Sequence, residues 1–286
     1  MSVVKRLVVL ASFFVLFTVT VSAVEIESRF AKFGEVKIHY QNRGKGDQAL
    51  VFVHGWTCNS DFWRAQMNDF GSLHLIAIDL AGHGKSDKPQ IAYTMEYFAR
   101  SIEAVLIDAK VKRAVLVGHS MGTPVVRQFY RLFPEKTAGL VIVDGALRMM
   151  FPKEQVDQFM EPMKADYKAA APGIVDGMVA PMKDEKLKGE VKTAMLSTPD
   201  YVALSAMENM FDPSVYQTDT IKVPVLAVLA KSPFWPPDTE TFLRSLAPNL
   251  QYVEWDGVSH FLMMEKPAEF DQTVDGFLSK NKLLGK

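Results

Sequence analysis

The chain has 286 residues, 48% of them hydrophobic, and a formal charge of −1 at pH 7. That length and apolar fraction can bury one large core, or a core with a modest insertion, which excludes a disordered chain. The near balance of 32 basic and 33 acidic residues gives nucleic acid no electrostatic hold, and the lone Cys58 excludes an intramolecular disulfide and a cysteine-based metal cluster.

Lys5 and Arg6 stand before an apolar stretch over 7–21 that runs into Val21-Ser22-Ala23, with small residues where a signal peptidase reads. This layout predicts a secretory signal over 1–23, cleaved after Ala23, and hence a secreted or periplasmic protein. The stretch approaches bilayer-spanning length, so an uncleaved anchor is the alternative, and membrane contact is expected only through that segment. Next, residues 28–33 and 36–40 read as a hairpin turning at Gly34-Glu35, with a second turn over 42–47. Strands and helices then alternate: strand 49–53, a helix near 61–68, strand 73–78, helix 94–109, strand 113–117, helix 123–132 and strand 139–143. This rhythm predicts an α/β fold, a mostly parallel sheet covered on both faces.

The rhythm breaks between 147 and 220, a helical stretch interrupted by Pro152, Pro162, Pro172, Pro181, Pro199 and Pro213. It holds nine methionines, which suit either a pliable apolar channel or the segment's own core. Strand character returns over 223–230 and again over 252–255, and the chain closes on an amphipathic tail. The predicted divisions are the leader 1–23, a core in two parts, 24–145 and 222–286, and an inserted helical cap, 146–221. The cap's place in the order puts it over the carboxyl ends of the strands, where open parallel sheets bind ligands.

Gly118-His119-Ser120-Met121-Gly122 follows the apolar run 114–117 and precedes a helical pattern, so it reads as strand, sharp turn, helix. In that setting G-x-S-x-G is a nucleophile elbow, with glycines on both sides because a side chain there would clash. Two earlier strands end in His54-Gly55-Trp56 and in Asp79-Leu80-Ala81-Gly82-His83-Gly84, and Gly257-Val258-Ser259-His260 lies near the far end. Together these four motifs resemble the α/β-hydrolase superfamily over about 36–278. Within it the layout is similar to compact bacterial esterases, thioesterases, carbon–carbon bond hydrolases and cofactor-free perhydrolases. A serine at the elbow argues against the related haloalkane dehalogenases and epoxide hydrolases, whose nucleophile is an aspartate.

The resemblance implies roles. Ser120 would be the nucleophile and needs a base within reach; of the six histidines, His260 holds the position where the superfamily presents it. The oxyanion would be met by the backbone N–H groups of Met121, after the nucleophile, and of Trp56, whose ring would also wall the acyl pocket. His54 is read as shaping its loop, and Asp79, Gly82, Gly84 and Ser86 as structural. The acid departs from the pattern. Most relatives place an aspartate just past the strand over 223–230, but Ala230-Lys231-Ser232-Pro233-Phe234-Trp235-Pro236-Pro237 has no carboxylate. Asp144, ending the strand before the cap, is the preferred acid and Asp238 the alternative, with Asp256 or no acid remaining.

The expectation is an exported serine hydrolase that cleaves a carboxylester or thioester of a small apolar acyl substrate through an acyl-enzyme, with neither cofactor nor metal. The alternatives are a ligand-binding or degenerate member with little turnover, and a carbon–carbon bond hydrolase or perhydrolase.

Overall fold

The computed structural model describes residues 25–286, so the expected leader lies outside the described residues. An edge hairpin of β1 (Ile26–Phe33) and β2 (Val36–Arg43) is followed by β3 (Gln48–Val53), β4 (Leu75–Ile78), α1 (Met95–Asp108), β5 (Arg113–His119), α2 (Gly122–Leu132) and β6 (Thr137–Val143). Four helices come next: α3 (Lys153–Ala165), α4 (Tyr167–Val179), α5 (Glu185–Leu196) and α6 (Asp200–Met210). The chain returns to the sheet with β7 (Val225–Ala230), α7 (Thr239–Leu246), β8 (Leu250–Trp255), the short α8 (Leu262–Glu265) and α9 (Pro267–Lys280).

One eight-stranded sheet results, in the order β1-β2-β4-β3-β5-β6-β7-β8, with β3 to β8 mutually parallel and the hairpin antiparallel at one edge. Strands β3, β4, β6 and β7 are buried at nearly every position, which is why they read as continuous apolar runs rather than alternating ones. Helices α1 and α2 cover the sheet together. Helix α1 starts where the Thr94 side chain accepts the Tyr97 N–H, and it buries Phe98, Ile102 and Val105 at helical spacing. Another layer joins α9 to the chain after β3 through Phe270 on Trp63, ring centroids 6.1 Å apart.

Between β3 and β4 the sequence predicts a helix near 61–68, and the structure has two 3-10 turns there, Ser60–Trp63 and Gln66–Asn68. The tighter turns let the adjacent pairs Phe62-Trp63 and Gln66-Met67 face inward together, while the Ser60 N–H stays on Asp79 Oδ1 at 2.6 Å. Proline marks helix boundaries only in part: Pro152 and Pro199 precede α3 and α6, but Pro162 and Pro172 lie inside α3 and α4, each forgoing one backbone bond. Met160, Met163, Met182, Met195 and Met207 are buried among these helices, so most of the methionines there serve packing.

The topology fixes where a site can form. From β3 the chain passes to β4 on one side and then to β5 on the other, so the strand order reverses between β3 and β5. The crevice at the carboxyl ends of such a pair is the ligand-binding position of an open parallel sheet. Helices α3–α6 lie over it, tied down by Trp56 Nε1 donating to Ala203 O at 2.8 Å, Thr198 Oγ1 to Thr57 O at 3.1 Å and Tyr201 Oη to Lys88 O at 2.6 Å. No helix among the described residues is long and apolar enough to cross a membrane.

Candidate active site

Strand β5 ends at His119 and α2 begins at Gly122, leaving Ser120 and Met121 to make the whole turn. Ser120 has φ 52, a left-handed conformation that costs a serine on the order of 1–3 kcal/mol and persists only where the surroundings enforce it. They do: its N–H donates to Val143 O at 3.0 Å, and its carbonyl accepts from the Thr123 N–H at 2.9 Å. Space dictates the flanking glycines. A Cβ on Gly118 would stand 2.4 Å from Gly122 O, and one on Gly122 would stand 2.5 Å from Val53 O. The hydroxyl is thereby lifted clear of the chain beside the N-terminus of α2.

His260 lies after β8, and its Nδ1–H donates to Asp144 Oδ2 at 2.6 Å. Asp144 directly follows β6 and has φ 43. Its N–H donates to Val228 O at 2.9 Å, and its Oδ1 accepts the Ala230 N–H at 2.8 Å. One strand end therefore supplies the carboxylate, and its parallel neighbour supplies a backbone donor that fixes the carboxylate's orientation. With the Nδ1 proton directed at Asp144, the lone pair of His260 is on Nε2, and the side chain is 22% exposed. Among the described residues no hydrogen bond joins Ser120 Oγ to His260; such bonds are often long in free enzymes and tighten around substrate.

The other two candidate carboxylates are elsewhere. Asp238 is 63% exposed and forms a two-pronged pair with Arg148, at 2.9 Å to Nη1 and 2.5 Å to Nη2, which holds its carboxyl below the usual range. Asp256 faces Lys231 at 3.6 Å. In the run lacking a carboxylate, Ser232 Oγ accepts the Phe234 N–H at 3.2 Å and closes a local turn.

Trp56 and Met121 are both buried, and among the described residues neither backbone N–H donates to a protein acceptor. The Trp56 ring meets α6 through Ala203 O and α4 through a T-shaped contact with Tyr167 at 6.4 Å. Thr57, next along, has φ 56, a strained conformation for a β-branched residue.

The remaining histidines have structural partners. His54 Nδ1–H donates to Gly55 O at 2.8 Å and its Nε2 accepts the Leu80 N–H at 3.0 Å, so it joins the loops after β3 and β4; burial lowers its pKa. His83 is pushed down to about 3 by burial and by neighbouring His54. His74 bridges Gly46 O and Asn42 Oδ1. His39 pairs with Asp79 at 2.7 Å. Burial raises the Cys58 thiol, which therefore stays protonated. Two contacts around Asp144 and His260 are absent from the sequence reading: the Ala230 N–H on Asp144 Oδ1 and the His119 Nε2–H on the His260 carbonyl.

The family model described as "Alpha/beta hydrolase family" matches residues 50–273. Among curated proteins, AB hydrolase superfamily protein YisY of Bacillus subtilis is 29% identical over 143 residues, 46% of this chain and 53% of YisY. The matched part spans between 29% and 53% of the length of the curated relatives. Of solved structures, Est816, described as an N-acyl homoserine lactone degrading enzyme, is 28% identical with a TM-score of 0.75, covering 87% of this chain and 100% of that one. An esterase from Exiguobacterium antarcticum, 19% identical with a TM-score of 0.78 over 88% of this chain and 100% of that one, shares the fold. Esterases and epoxide hydrolases both occur among the similar proteins. The matched region spans the elbow, both flanking loops and His260, and this chain belongs to the alpha/beta hydrolase family.

Proposed function

We propose that the chain is a serine hydrolase that cleaves carboxylesters or thioesters of small apolar acyl groups and is exported by its N-terminal leader. The observation that carries this reading is the Asp144–His260 bond of 2.6 Å beside a serine held at φ 52. Ser120 Oγ attacks the acyl carbon as His260 Nε2 takes the hydroxyl proton, and Asp144 stabilises the imidazolium that forms. The oxyanion develops between the Trp56 and Met121 amides, donors that need no reorganisation. Collapse expels the alcohol or thiol, which leaves with the proton from His260. Water then attacks the acyl-serine while His260 takes its proton, and the carboxylic acid departs as Ser120 is restored. A serine rather than an aspartate at position 120 favours acyl transfer over epoxide opening.

A fluorophosphonate probe tests the reading. Stoichiometric labelling of the folded protein is expected, lost in Ser120→Ala and strongly slowed in His260→Ala. Folded wild-type protein that takes no label and turns over no nitrophenyl ester contradicts it.

A further inference from the structure

His119, the residue before the nucleophile, is fully buried. Its Nε2–H donates to the His260 carbonyl at 2.8 Å, across 141 residues of chain. The two imidazoles pack with centroids 4.7 Å apart, and the Phe261 ring lies 5.3 Å from each of them. A Cβ built on Gly55 would stand 2.9 Å from Ser120 Cβ and 3.0 Å from His119 Nδ1, so the loop carrying Trp56 is seated directly on this ring. His119 thus touches all three parts of the proposed machinery: it adjoins the nucleophile, packs under the oxyanion loop and bonds the backbone of the base.

Its own state is defined. Burial, then the proximity of His260, lowers its pKa well below the ordinary value, so it is neutral. With the proton on Nε2, Nδ1 is bare, and it has no hydrogen-bond partner among the described residues. A phenylalanine would fill this space without burying an unsatisfied nitrogen, so filling the core does not account for an imidazole here. What the imidazole adds is one directed bond to His260.

We propose that His119 is a positioning residue, anchoring the backbone of His260 to the nucleophile elbow so that the base keeps its alignment on Ser120 through proton transfer. Asp144 holds His260 at ring atom Nδ1 and His119 holds it at the carbonyl, a two-point grip that leaves Nε2 without a hydrogen-bond partner among the described residues. The inference rests on the serine-hydrolase reading above.

The test compares His119→Phe, which keeps an aromatic ring but loses the donor, with His119→Gln, whose terminal amide can again reach the carbonyl. His119→Phe is expected to lower kcat on a nitrophenyl ester by about 30- to 100-fold, the scale of a small misplacement of a reacting group, with KM within about twofold. His119→Gln should recover most of that loss. A folded His119→Phe with wild-type kcat, or a His119→Gln as slow as His119→Phe, overturns the proposal. Ser120→Ala run in parallel keeps the two readings apart: if it is inactive while His119→Phe is unimpaired, the serine mechanism stands and only the anchoring role falls. Should His119→Phe not fold, 15N NMR of the histidine-labelled wild-type protein decides. A neutral Nε2–H tautomer for His119 with an exchange-protected proton supports the anchor, and the Nδ1–H tautomer overturns it.

Discussion

Two buried carboxylates in this molecule each grip a histidine by Nδ1, and only one pair belongs to the proposed machinery. At the hairpin edge, His39 Nδ1 meets Asp79 at 2.7 Å and its Nε2 meets Ser28 Oγ at 2.8 Å, a closed serine–histidine–aspartate relay by distance alone. At the carboxyl edge of the sheet, His260 meets Asp144 at 2.6 Å with Ser120 nearby. The surroundings separate them. Asp79 also accepts the Ser60 and Lys85 amides, so its carboxylate organises two loops. Burial alone would raise its pKa, but the bonds from His39, Lys85 and Ser60 outweigh that and hold it far below the usual carboxylate range. Ser28 lies in a regular strand, whereas Ser120 is strained at a helix N-terminus, with the Met121 and Trp56 amides, unpaired among the described residues, close by. A triad's distances do not make a site; a raised nucleophile and waiting oxyanion donors do.

The contrast predicts that the two pairs fail in opposite ways. The largest effect is His260→Gln, expected to lower kcat by about 10⁴- to 10⁶-fold while the melting temperature hardly moves; a loss of fold instead would erase the distinction. Asp79→Asn should do the reverse, costing on the order of 3 kcal/mol of stability in urea titrations while kcat per folded molecule stays within a few-fold. Linkage gives a related pH signature. Because Asp79 has a folded pKa depressed below its unfolded value of about 4, its contribution is complete above that pH and is lost as pH falls below it. The wild-type urea midpoint should therefore drop steeply below about pH 4, and the drop should be shallower in Asp79→Asn. Smallest of all, Ser28→Ala should leave kcat within about twofold and stability within about 1 kcal/mol; a large catalytic loss would give the hairpin pair a function this account denies it.

Much of this was legible in the chain. The strands announce themselves as apolar runs because parallel strands are buried on both faces, and the elbow by glycines that sterics require at Gly118 and Gly122. The positions of His260 and of the inserted helices follow from their order in the chain. What was not legible depends on neighbours that only the sheet creates. Chain order already favours Asp144 over Asp238 as the acid, but only the pairing of Val143 with Val228 brings the Ala230 amide onto its carboxylate. His119 finds its partner 141 residues away. The segment over 61–68 has enough apolar residues for a helix, and only the packing of Phe62 and Trp63 side by side shows why it stays as two tight turns.

The central claim is that the acid sits at the end of β6, and one comparison tests it most directly: single-turnover acylation by a nitrophenyl ester for wild-type, Asp144→Asn and Asp238→Asn proteins. Loss of the triad aspartate's charge should slow Asp144→Asn by about 10³- to 10⁴-fold, while Asp238→Asn, which breaks only the exposed pair with Arg148, stays within about twofold. Wild-type acylation in Asp144→Asn, or a collapse confined to Asp238→Asn, would contradict the account.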